Sequence, residues 1–298
     1  MDRTVVESGL RATTRNWLVG ARLKTMPATF APVAVGTAVA YSEGTVIAWR
    51  AALTLLFALC FVIGTNYFND YSDGIRGTDA QRVGPVRLVG SGRVSSRQVL
   101  RAGIALYVIA AVTGVILAAT VSWWLLALTV FCALGGWFYT GGSRPYGYRA
   151  LGEVGVFLFH GIVAVCGTVF IQLERIPMLA LAASIPVGLI VCALLVTNNL
   201  RDIPTDTGAG KRTLAVVIGD RWTRVLYLLC VGVAFASALA LIPARPWVLL
   251  VLASLPFAAA PVRRVVIGMH GADLVAALEQ TCVLMLAFGA LLTVGLAW

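Results

Sequence analysis

Long apolar runs alternate with short polar segments along this chain, and the runs set its architecture. They lie near 27–43, 47–68, 98–119, 122–140, 151–171, 178–200, 222–242, 246–260 and 274–297. A helix needs roughly 20 apolar residues to cross the hydrocarbon core of a bilayer. The runs are continuously apolar rather than alternating, which excludes a closed β-barrel. The pattern therefore predicts an all-α membrane protein of about nine transmembrane helices, forming one polytopic domain over 1–298. Residues 9–25 mix Arg with Leu, Trp and Val and predict an interfacial helix leading into the first span. Pro204 is expected to end the sixth helix and leave Asp206 in the following loop.

Composition agrees with lipid as the solvent. Only 12% of the residues are charged, about half the share in a soluble domain. The net charge of +10 lies in the loops and reads as topology rather than nucleic-acid binding. Lys and Arg fall in the N-terminal tail and after the even-numbered spans, except Arg50, Arg175 and Arg245. The positive-inside rule then puts the N-terminus and those loops in the cytosol, and the C-terminus outside. Ala38-Val39-Ala40 imitates a signal-peptide cleavage site, but the long tail and the later spans favour an uncleaved first helix. The six cysteines sit within spans at no metal-like spacing and read as small buried hydrophobes.

The longer loops, 74–97, 141–150 and 202–221, are where chemistry is expected. Thr65-Asn66-x-x-x-Asp70 returns as Thr197-Asn198-x-x-x-Asp202, at the cytosolic ends of the second and sixth spans. This suggests duplicated halves, about 20–140 and 150–298, whose polar motifs meet at a shared site. Asn66, Asp70 and Asp73 share one helical face, and Asn69 pairs with Asp73. Carboxylates so close repel one another unless a cation neutralises them. Mg²⁺ suits such oxygen donors, because it is held by one or two carboxylates together with substrate phosphates. Of thirteen acidic residues, five (Asp70, Asp73, Asp79, Asp202 and Asp206) fall in the two clusters, which weighs against a merely solvated helix end. The candidate metal ligands are these five with Asn66, Asn69 and Asn198. Lys24, Arg76, Arg82, Arg144, Arg201 and Lys211 are candidates for a diphosphate. Arg87, Arg93 and Arg97 read instead as topology determinants.

These residues resemble the UbiA superfamily of intramembrane prenyltransferases. Asn69-Asp70-x-x-Asp73 and Asp202-x-x-x-Asp206 carry the resemblance, supported by Arg22-Leu-Lys24-Thr-Met-Pro27. The stretches 69–92, 139–154 and 198–219 are most similar to its 1,4-dihydroxy-2-naphthoate polyprenyltransferase branch. Gly77 stands where many members carry a fourth acid, with Asp79 nearby as the substitute. The resemblance implies a helical bundle around a central cavity open to lipid, in a bacterial cell membrane. Its implied substrates are a polyprenyl diphosphate and 1,4-dihydroxy-2-naphthoate, with Mg²⁺ as cofactor. Asp70, Asp73, Asp202 and Asp206 would be catalytic, acting through the metal.

Glu153 is a candidate to deprotonate the aromatic acceptor, or else a partner of Arg144 or Arg149. His160 reads as a buried histidine, His270 and Asp273 as surface or capping residues, and Tyr139 and Tyr146 as borders of the site or interfacial anchors. Two alternatives stand beside this reading: the same chemistry on 4-hydroxybenzoate or a sugar phosphate, and a transporter of anionic lipids. Acids at one membrane face rather than the midplane argue against transport.

Overall fold

The computed structural model describes residues 14–78 and 86–298. Nearly all of it is helix. Residues 14–21 are helical, and the chain then turns through Arg22, in the left-handed region at φ 56°, into α1 (Pro27–Glu43). α2 (Ala48–Ile75) and α3 (Ser96–Thr120) follow, the latter begun by a capping box between Ser95 and Gln98. Next come α4 (Leu125–Thr140), α5 (Gly152–Leu173), α6 (Met178–Gly208), α7 (Leu214–Leu239), α8 (Pro246–Val266) and α9 (Asp273–Ala297).

Among the described residues, seven helices, α2, α3 and α5–α9, are long and apolar enough to cross a membrane. The other two expected spans are helices of 17 and 16 residues, α1 and α4. The apolar runs therefore placed the helices well, and the polar ends less well. α2 runs on to Ile75, past its expected end at 68. α7 starts early, at Leu214, and bends where Gly219 takes φ 78°. α6 passes through Pro204 to Gly208, so Asp206 is helical rather than in a loop. Proline removes one N–H and disfavours the α conformation of the residue before it. Here the hydroxyls of Thr205 and Thr207 donate to the Asp202 and Ile203 carbonyls and help hold the last turns together.

α2 packs along α3 and α6 along α7, while α9 lies against α1, α6 and α8. Small residues permit the closest approaches, as expected where helices associate by packing rather than by water exclusion. At the crossing of α5 and α6, a Cβ built on Gly161 would lie 2.8 Å from the Gly188 Cα and 3.0 Å from the Ser184 carbonyl oxygen. Gly161→Val should therefore force the two backbones apart and cost about 1–3 kcal/mol. Thermal unfolding in detergent measures it, and an unchanged midpoint would refute the close contact. Gly161 belongs to a stretch of α5, Phe157–Val163, that winds as a π-helix. The sequence periodicity gave no sign of it.

The three arginines outside the positive-inside pattern have a common task at the end opposite the acid clusters. Arg50 donates to the carbonyls of Thr120 and Ile171, and Arg175 and Arg245 both pair with Glu43. They cross-link helix ends that the short loops at that end of the bundle bring together.

Candidate functional site

The two motif-bearing helix ends face one cavity of about 860 Å³. Asn66, Asn69, Asp70 and Asp73 line its polar end from α2, and Asn198, Asp202 and Asp206 from α6. Farther in, the wall turns apolar, with Phe57, Phe61, Leu128, Phe159 and Val163. It reaches Ile171, whose carbonyl accepts from Arg50 at the opposite end of the bundle. Seven of the eight proposed metal ligands thus share one cavity wall. The eighth, Asp79, lies outside the described residues, as does Arg82.

Each carboxylate has a defined setting. Asp70 accepts the backbone N–H groups of Leu88 and Val89, both at 2.9 Å, and so fixes the segment after residue 86. Asp73 accepts from the Tyr148 hydroxyl and, at 3.1 Å, from the Lys211 ammonium. Asp202 is gripped by two Arg201 nitrogens at 2.7 Å each, and the same guanidinium donates to Asn198 at 2.8 Å. Asp206 lies 3.9 Å from Lys211. Asn66 donates to the Ala21 carbonyl, while Asn69 accepts from the Thr140 hydroxyl.

Among the described residues, no three acid, His or Cys side chains converge into a ready-made metal cage. The donors along the wall are nonetheless all hard oxygens from carboxylates and amides. That set fits Mg²⁺, which keeps several waters and completes its octahedron with substrate phosphates.

The basic candidates divide. Lys24, Arg201 and Lys211 line the cavity, with Lys24 bound to Glu279 at 2.6 Å on its exposed rim. Arg76 and Arg144 do not. Arg76 donates to the carbonyls of Thr140 and Gly142, tying α2 to the end of α4, and Arg144 is exposed. Four other arginines, Arg15, Arg22, Arg87 and Arg93, line the cavity instead. Arg87 and Arg93 read from sequence as topology determinants. Nothing in sequence separates a phosphate-facing arginine from a topological one, since both occupy the same loops.

Glu153 is buried beside the cavity without lining it, and it accepts from the Asn199 amide at 2.9 Å rather than pairing with Arg144 or Arg149. His160 does line the cavity, on the π-helical stretch, and its Nδ1 lacks a hydrogen-bond partner. Tyr139 and Tyr146 also line it, their rings 5.4 Å apart in an edge-to-face pair. Burial pushes the Tyr146 phenol up to about 12. His270 and Asp273 stay away from the cavity, Asp273 in the first turn of α9. Tyr148, which the sequence did not single out, touches Asp73 and stacks beneath Lys211, whose Nζ is 4.7 Å from the ring centroid.

A model of the UbiA prenyltransferase family matches residues 29–288. The 1,4-dihydroxy-2-naphthoate octaprenyltransferase of Mycobacterium tuberculosis is 46% identical over 275 residues, covering 91% of this chain and 93% of that one. The enzyme of the same name from Bacillus subtilis is 32% identical, over 92% and 90%. Among solved structures, a UbiA homologue from Archaeoglobus fulgidus, bound to DMAPP and Mg²⁺, superposes with a TM-score of 0.62. It shares 15% identity and covers 94% of this chain and 99% of its own.

Proposed function

The chain belongs to the UbiA prenyltransferase family, and on that premise we propose that it transfers a polyprenyl group to 1,4-dihydroxy-2-naphthoate with loss of CO₂, giving demethylmenaquinone in menaquinone biosynthesis. One observation carries the reading. The two Asn/Asp clusters line the polar end of a cavity whose remainder is apolar, in a chain 46% identical to an octaprenyltransferase for that acceptor. A diphosphate needs the first surface and its prenyl tail the second.

Asn66, Asn69, Asp70, Asp73, Asn198, Asp202 and Asp206 would hold Mg²⁺, as the Mg²⁺-bound homologue supports. When bound, Mg²⁺ would withdraw charge from the diphosphate and ease departure of the allylic group. Lys211 and Arg201 supply fixed positive charge to the same leaving group. The apolar wall excludes water, which would otherwise compete with the aromatic ring for the allylic carbon. The matched motifs on α2 and α6, each helix packed along its successor, support two related halves, about 20–140 and 150–298. We place the protein in a bacterial cell membrane with the acid clusters facing the cytosol, supported by the Lys and Arg distribution.

The test is direct. Purified protein in nanodiscs, given Mg²⁺, octaprenyl diphosphate and 1,4-dihydroxy-2-naphthoate, should yield a prenylated product lacking CO₂ by mass spectrometry. Turnover of 4-hydroxybenzoate or a sugar phosphate in its place would overturn the acceptor. Chelation of divalent metal should abolish product, and added Mg²⁺ should restore it. Undiminished turnover in excess chelator would overturn the metal.

A further inference from the structure

Lys211 is held more firmly than a loop lysine needs to be. Just past the end of α6, Gly210 takes φ 71°, and the chain folds back so that the Lys211 N–H donates to the Asp206 carbonyl at 2.8 Å. Two backbone hydrogen bonds then join this loop to the distant 141–150 loop. The Arg212 N–H donates to the Tyr148 carbonyl at 3.2 Å, and the Ala150 N–H to the Arg212 carbonyl at 2.9 Å. They press Lys211 against the Tyr148 ring, 4.7 Å away. Its side chain is 11% exposed and contacts Asp73 at 3.1 Å and Asp206 at 3.9 Å. Tyr148 completes the arrangement by donating its hydroxyl to Asp73.

One ammonium therefore neutralises a carboxylate from each motif. These are two of the residues assigned above to the metal, and the inference rests on that assignment. We propose that Lys211 competes with the divalent cation for Asp73 and Asp206, so that the site takes metal together with diphosphate rather than metal alone. A cation arriving by itself must displace an ammonium that is left buried and unpaired, at high electrostatic cost. A cation arriving with diphosphate brings the anion that receives Lys211. Tyr148 is a positioning residue in this scheme. Its ring retains the ammonium by cation–π attraction, and its hydroxyl satisfies the Asp73 oxygen that the metal later needs.

The two roles of Lys211 have opposite signs, which makes the proposal testable without catalysis. Calorimetric titration of the full chain in nanodiscs would use Mg²⁺ alone, inorganic diphosphate alone and the preformed Mg²⁺–diphosphate complex. Wild type should bind the complex at least about tenfold more tightly than either component, a difference of one close charge pair. Lys211→Met should bind Mg²⁺ alone at least about tenfold more tightly than wild type and the complex more weakly. Tyr148→Phe keeps the ring and loses the hydroxyl, and should raise affinity for Mg²⁺ alone severalfold. Unchanged or weakened Mg²⁺ binding in Lys211→Met overturns the competition. So does a wild type that binds Mg²⁺ equally well with and without diphosphate, an outcome that does not depend on how any variant folds. Prenyl transfer by the wild type, assayed in parallel, tells failure of this proposal from failure of the functional reading.

Discussion

Asp202→Ala should reduce prenyl transfer by about 10³-fold, the order of loss when a positioned electrostatic group is removed, and should also destabilise the protein by about 3–5 kcal/mol. The two losses have different origins. The first would come from loss of a proposed metal ligand. The second comes from Arg201, whose side chain is 1% exposed and whose guanidinium is held by Asp202 at two points. Without the carboxylate a buried cation is left facing the Asn198 oxygen alone. Asp202→Asn retains one acceptor and should keep more of the stability while losing a similar share of activity. Adding Arg201→Met to Asp202→Ala should recover stability, because the stranded charge is gone, but not turnover. Thermal unfolding and single-turnover rates on the three variants separate the effects. Near-wild-type turnover in Asp202→Ala would remove this residue from the metal site.

Asp70→Ala should also damage catalysis and should damage structure elsewhere. Both Asp70 oxygens receive backbone N–H groups, from Leu88 and Val89, and Leu88 is fully buried. Each N–H left without its acceptor costs about 1–3 kcal/mol if it stays buried. The segment is therefore expected to loosen rather than bear that cost. Turnover should fall about 10²–10³-fold, and hydrogen exchange should accelerate in peptides covering 86–94 while peptides from α3 stay protected. Faster exchange with full activity would make Asp70 an anchor of this segment and not a ligand.

The contrast between these two variants shows what the sequence conveyed and what it withheld. Asn66-x-x-x-Asp70 and Asn198-x-x-x-Asp202 were legible as a repeated pattern, and their positions at the ends of two spans followed from apolar run lengths. Their partners were not legible. Arg201 is adjacent in sequence to Asp202, yet neighbours on a helix do not face each other, so spacing gave no sign of the contact. Leu88 and Val89 reach Asp70 from a segment that carries no motif. Tyr148 carries no signal in the sequence, because its place beside Lys211 depends on hydrogen bonds between two loops about sixty residues apart. The arginines mark a limit of another kind. Arg76 follows the motif acids and Arg22 lies in a basic segment, yet Arg76 braces the end of α4 and Arg22 lines the cavity.

The brevity of α4 carries a consequence for the surrounding lipid. Its sixteen residues extend about 24 Å, several ångströms less than the roughly 30 Å of hydrocarbon in an average bilayer. Trp123 and Trp124, both exposed, precede its first turn and suit the headgroup level. If they anchor there, acyl chains beside α4 must compress to meet them, at a fraction of a kcal/mol for each ångström. A dimple of that kind draws the membrane surface inward at the Trp end of α4, on the face opposite Thr140 and the acid-lined mouth.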